Sequence, residues 1–359
     1  MKTIRLPQNA IFPRLELTAA PHLKAPDSTV RIMWTVAASL APVVAASTYF
    51  FGVSALLVIA GSVAGAVATE RAFGKGGTLG DGSAAITGLL LGLTLPAGMP
   101  MWMAFAGGAF GIGFGKLVFG GLGQNVFNPA LVGRAFLQAA FPAAITTWPR
   151  VGGRWLALRG DNFAWPFTHP AKVDFVTAAT PLGVMKFEHH PTDIASLVVG
   201  RTGGSLGETA GLLIVLCGAY LAWKRYLDWR TPVSILATVA ALSAVIHAAD
   251  ARYPGPLFML FSGGLMLGAV YMATDLVTSP ITAAGKWIFG FGVGGLVVLI
   301  RVWGGLPEGV MYAILIMNAL VPFINRATQP RVFGTAPAVA KAARAFRRRP
   351  SPAAQEVAP

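Results

Sequence analysis

The sequence predicts an all-α integral membrane protein of about ten transmembrane helices. Three observations carry that expectation. Hydrophobic residues make up 55% of the 359-residue chain and charged residues 12%, with a mean hydropathy of +0.63, well below the charge of an ordinary soluble domain. Apolar runs near the roughly 20 residues that cross a bilayer recur along the chain. Lys and Arg gather at the ends of those runs and in the two tails, so the net charge of +14 reports orientation in a lipid bilayer and implies no nucleic-acid partner.

Residues 1–30 form a polar N-terminal segment, too long and too polar for a cleaved signal peptide. Ile32–Tyr49 and Phe51–Thr69 read as a helical hairpin, followed by a glycine-rich stretch in which Ser83 can cap the next helix. Ala84–Leu95 is short and ends at Pro96 and Pro100, and Met101–Leu117 crosses back with Gly107, Gly108, Gly111, Gly113 and Gly115 as close-packing positions. A polar break over Gly120–Ala130 precedes a run to Phe141, completing a first membrane half over 31–142. Residues 143–207 are a long segment outside the membrane, more than a plain connection needs. The second half, 208–325, holds Leu212–Trp223, Pro232–Ala249, Pro256–Ala273, Trp287–Trp303 and Val310–Phe323, and a basic tail occupies 326–359.

The positive-inside rule places both termini in the cytoplasm and the 143–207 loop outside. The halves then enter with opposite orientation, which predicts a five-plus-five inverted repeat. A faint echo supports it: Gly107–Gly111 before Asn125–Ala130 resembles Gly263–Gly268 before Asp275–Pro280. Lys116 reads as a snorkelling cation, Arg134 and Asp275 as charges near cytoplasmic ends, and Glu70, Asp81 and Glu208 as residues that cap or orient helices.

The single cysteine, Cys217, allows no internal disulfide and cannot alone hold an iron–sulfur cluster. No glycine-rich dinucleotide fingerprint follows a strand, and no nucleophile–base pair or metal-ligand set stands out, so no catalytic side chain and no metal site are assigned. One stretch draws the argument: Asp174-Phe175-Val176-Thr177-Ala178-Ala179-Thr180-Pro181-Leu182 in the long loop. Thr180 before Pro181 is a good helix start, because the hydroxyl accepts from free N–H groups and proline has none to waste. The sharper reading is that this hydroxyl carries a phosphate covalently.

Gly80–Leu91, Asn125–Phe136, Ala179-Thr180-Pro181-Leu182 and Tyr271–Pro280 together resemble the D-subunit family of the Rnf ion-translocating oxidoreductase, shared with the B subunit of the sodium-pumping NADH:quinone oxidoreductase. The likeness runs from Arg31 to Asn325. It implies an FMN joined through its phosphate to the last threonine of a Ser/Thr-Gly-Ala-Thr pattern, here Thr180 of Thr177-Ala178-Ala179-Thr180, with alanine where the pattern has glycine. Thr177, Ala179, Pro181 and Asp174 would flank the group. The resemblance also implies a non-covalent riboflavin toward the cytoplasm, for which Asn125, Asn128, Arg134, Asp275 and Ser279 are the candidate second flavin or ion site. Implied partners are the A, B, C, E and G subunits of an Rnf-type complex, above all the FMN-bearing G subunit, and a flavin transferase. The expected function is electron transfer coupled to sodium or proton translocation in a bacterial inner membrane. The alternative is a solute channel or secondary transporter with inverted repeats and no redox cofactor.

Overall fold

The computed structural model describes residues 27–330 except 75–77, 153–154, 157, 167–178, 189, 191, 201 and 209–210. Helix α1 (Thr29–Ser39) opens on Ser28, whose side chain accepts from the Arg31 N–H, and yields at Leu40 to α2 (Ala41–Phe51) with Pro42 in its first turn. Gly52, at φ +70°, turns the chain into α3 (Val53–Phe73); a Cβ at this position would strike the Trp155 carbonyl of the long 143–207 loop. α4 (Ser83–Leu93) stops just before Pro96, and α5 (Met101–Ile112) begins after Pro100 and continues into a π turn over Gly113–Leu117. α6 (Pro129–Ala140) is capped by Asn128, which accepts from the Ala130 and Leu131 N–H groups.

Short helices α7 (Pro142–Ile145), α8 (Pro181–Phe187) and α9 (Ile194–Val199) lie in the long loop region. The second half contains α10 (Gly211–Trp223), α11 (Arg230–Ala249), α12 (Pro256–Phe261), α13 (Leu265–Leu267) with a π turn over Gly268–Met272, α14 (Ala283–Trp303) and α15 (Val310–Thr328). α3 packs on α4 and α5, and α14 on α11 and α15. One apolar core, including Phe51, Leu91, Leu137, Phe289 and Ile314, runs through both halves.

The all-α membrane class holds, but the expected helix count does not. Among the described residues five helical stretches are long and apolar enough to cross a membrane: Thr29–Phe51, Val53–Phe73, Arg230–Ala249, Ala283–Trp303 and Val310–Thr328. α4 and α10 are apolar but have only 11 and 13 residues, roughly 16 and 20 Å of rise against a hydrocarbon core of ~30 Å. The run expected over Pro256–Ala273 is broken at Ser262–Gly264, where Gly263 adopts φ +66°.

No clear five-plus-five repeat is evident either, because the two echoing glycine segments do different work. Gly107 and Gly108 lie inside continuous α5, where Gly107 abuts Leu137 of α6 and Gly108 abuts the backbone of α3. Gly263 and Gly264 instead interrupt a helix.

Hydrogen bonds tie both described ends to one face. Tyr226 donates to Asp27, Lys286 pairs with Asp228, Thr282 with Thr328, and the Ile281 N–H donates to Asn325. On the opposite face Asn162 donates to the Ala97 and Met99 carbonyls between α4 and α5, and the Arg159 N–H donates to Ser54 at the start of α3. Thr180 lies on that second face.

Candidate functional site

Thr180 is the N-cap of α8. Its backbone is extended (φ −68°, ψ 150°), its Oγ1 accepts from the Gly183 N–H at 3.1 Å, and Pro181 takes the first helical position. Seven residues make a weak helix on their own, so α8 must be held by tertiary contacts. Leu182 and Met185 pack with Leu197 and Phe258 in a small apolar cluster. At the other end Lys186 donates to the carbonyls of Ile300, Arg301, Gly304 and Leu306, capping the C-terminus of α14 and the turn beyond it. Burial lowers the Lys186 ammonium below its ordinary pKa.

Beside Thr180 opens a cavity of about 520 Å³. Its apolar walls include Trp148, Phe187 and Tyr312, and its polar groups include Arg134, Glu208 and Glu308. An apolar cleft of this size with few convergent polar groups is the usual form of a cofactor pocket. Arg134, buried on α6, donates to the Thr94 carbonyl at 2.9 Å and to Glu308 Oε2 at 2.6 Å. Glu308 Oε1 accepts from the Gly264 N–H at 2.8 Å, and Glu208 accepts from Ser205 Oγ at 2.7 Å. Ala179 and Thr180 both line the cavity, and Pro181 is buried at the first position of α8. Asp174 and Thr177 lie outside the described residues.

The candidates for a second site are divided between the two faces. Asn125, Asn128 and Asp275 line one cavity on the face opposite Thr180, with Lys116, Ser83 and Tyr271, whereas Arg134 belongs to the Thr180 cavity. Ser279 is buried and donates its N–H to the Asp275 carbonyl. Asn128 caps α6 and donates to the Met272 carbonyl, and Asp275 accepts from the Val277 N–H and Thr278 Oγ1. That cavity measures about 110 Å³, below the roughly 300–1,000 Å³ of pockets that enclose a drug-sized ligand.

Lys116 does not snorkel. It sits in the π turn after α5, 2% exposed, and donates to Glu70 Oε1 and Ser83 Oγ at 2.6 Å each. Sequence reasoning also passed over Glu308 and Tyr312. A signal for Glu308 existed: it is an acid in the short Pro307-Glu308-Gly309 turn between two strongly apolar helices, a place where charge is costly unless paired.

Comparison with known proteins gives this geometry its context. A family model described as the NQR2, RnfD, RnfE family matches residues 16–334. The D subunit of an ion-translocating oxidoreductase complex from Stutzerimonas stutzeri is 43% identical over 332 residues, covering 86% of this chain and 93% of the relative. The D subunit of a proton-translocating ferredoxin:NAD(+) oxidoreductase complex from Clostridium ljungdahlii is 39% identical, with 89% and 96% covered. Its Na(+)-translocating counterpart from Acetobacterium woodii is 38% identical, with 89% and 95% covered. Overall identity therefore does not separate proton from sodium. The near-complete coverage and the apolar helices show that the chain belongs to the NQR2, RnfD, RnfE family, as a multi-pass bacterial inner-membrane subunit of an ion-translocating oxidoreductase complex.

Proposed function

We propose that this protein carries electrons through its complex on an FMN esterified through its phosphate to Thr180 Oγ1, and that this transfer is coupled to sodium or proton translocation. The observation that carries the reading is the half-buried Thr180 hydroxyl opening onto an aromatic-walled cavity of about 520 Å³. The residues present fit such a group. In the ester an Oγ1–P bond replaces the Oγ1–H bond, and the oxygen keeps a lone pair for the Gly183 N–H that it already accepts. Bound there, FMN would supply the one- and two-electron chemistry that no side chain of this chain can perform.

The protein's own part is positional. Lys186 and the Leu182–Met185 contacts fix α8, so the attachment point is held against the α14–α15 turn that carries Glu308. Trp148, Phe187 and Tyr312 offer flat apolar surface for a ring system. The A, B, C, E and G subunits of an Rnf-type complex are the proposed partners, with the flavin-bearing G subunit exchanging electrons and a separate flavin transferase forming the ester on the outer face.

Denaturing gel electrophoresis with flavin fluorescence tests this after co-expression with a flavin transferase. The wild-type band is expected to fluoresce, Thr180→Ala to lose the signal and Thr177→Ala to keep at least part of it. A dark wild-type band, or a bright Thr180→Ala band, would contradict the assignment.

A further inference from the structure

Behind Thr180 the cavity floor holds a charged pair that neither attachment nor ring stacking requires. Arg134 is bridged between the Thr94 carbonyl and Glu308, and its side chain is 8% exposed. Glu308 uses its second oxygen on the Gly264 N–H, at the break between α12 and α13. The far side of that break is held by Arg301, which donates to the Met259 and Ser262 carbonyls at 2.6 and 2.9 Å. One carboxylate thus joins the guanidinium that lines the cavity to the interrupted helix beside it.

A part-buried pair of this kind gains little stability over apolar residues of similar size, because the cost of desolvating the ions offsets much of their attraction. Its position suggests another use. Resting on the flavin reading above, we propose that Arg134 balances the negative charge that arrives with electrons in the Thr180 cavity, and that Glu308 passes the change to the Gly263–Gly264 break. The electrons come from a donor elsewhere in the complex and leave to the next carrier. Arg134 keeps its proton throughout, and no covalent bond of either residue changes. Negative charge in the cavity competes with Glu308 for the guanidinium, and the burial of Arg134 strengthens that competition. The Arg134 to Glu308 bond loosens, and Glu308 shifts its hold toward the Gly264 N–H. The other charged groups facing the pair are Glu208, Glu188 at the cavity rim and Arg301.

The test is a redox titration of the purified complex, following the flavin whose signal disappears in Thr180→Ala, with gel fluorescence to confirm attachment in every variant. Arg134→Gln is expected to move the midpoint potential negative, Arg134→Lys to restore most of it, and Glu308→Gln to move it positive by freeing the guanidinium of its counter-charge. Opposite signs for the two partners are the decisive readout, since general damage to the cavity would move both the same way. Unchanged potentials, or shifts of one sign, with flavin attached would overturn the proposal. If Glu308→Gln fails to assemble, the arginine variants still decide, because equal potentials for Arg134→Gln and Arg134→Lys would contradict it. A wild-type chain without covalent flavin would instead overturn the Thr180 reading on which it rests.

Discussion

At the scale of single residues, the same side chain can be read as a cap, a snorkelling cation or a functional group, and only its partner decides. Lys116 shows this most plainly. Its partner Glu70 is 46 residues away and almost fully buried, and Glu70 Oε2 has no partner of its own among the described residues. Removing the cation alone leaves a buried carboxylate uncompensated. Lys116→Met is therefore expected to cost about 3–5 kcal/mol, seen as a lower unfolding temperature in detergent. Pairing it with Glu70→Met should recover most of the loss, and a Lys116→Met protein as stable as wild type would show the pair to be solvated. Thr180 is the opposite case. As a helix cap its hydroxyl contributes only about 1 kcal/mol, so Thr180→Ala should assemble normally. Spacing could suggest that cap, but it could not reveal Glu308 against Arg134, a contact between residues 174 apart in sequence.

At the scale of elements, prolines were legible where they end a helix and the α5 glycines where they pack one, whereas the glycine break in the second half was not. Pro96 and Pro100 correctly bound α4 and α5. Hydropathy cannot see that Ser262–Gly264 breaks an apolar run, because it averages side-chain polarity and carries no information on a backbone angle such as φ +66° at Gly263, and this is one reason the expected number of spans was too high. The α3–α5 crossing depends on glycines at contact distance. A Cβ at Gly65 would overlap the Phe105 carbonyl, and one at Gly108 would overlap the Ser62 carbonyl. Gly65→Val and Gly108→Val should each destabilise the protein by about 1–3 kcal/mol through overpacking. Gly295, with nothing within 4 Å of an added Cβ, should accept alanine with little change in thermal unfolding. Equal tolerance at all three sites would mean that the helices do not cross at these glycines.

At the scale of the whole molecule, the hydrogen-bonded ends on one face and Thr180 on the other make sidedness testable. A cysteine at Asp161, in a Cys217→Ala background, is expected to react with an impermeant thiol reagent added outside intact cells. Labelling only after permeabilisation would reverse the orientation. The membrane class was legible from composition alone, and the Thr180 stretch from its resemblance to a family. The grouping of Arg134 with Asp275 came from position along the chain. α6 has only 12 residues, so a long side chain midway along it reaches the Thr94 carbonyl and the α14–α15 turn on the far face, a distance no linear count conveys.

Whether Thr180 carries FMN is decided by mass spectrometry. Chain purified after co-expression with a flavin transferase is denatured, digested, and the peptide containing Thr180 is weighed and fragmented. A mass increase of FMN less one water is expected, localised to Thr180 and absent from the Thr180→Ala peptide. An unmodified wild-type peptide, or the same increase localised to Thr177, would contradict it.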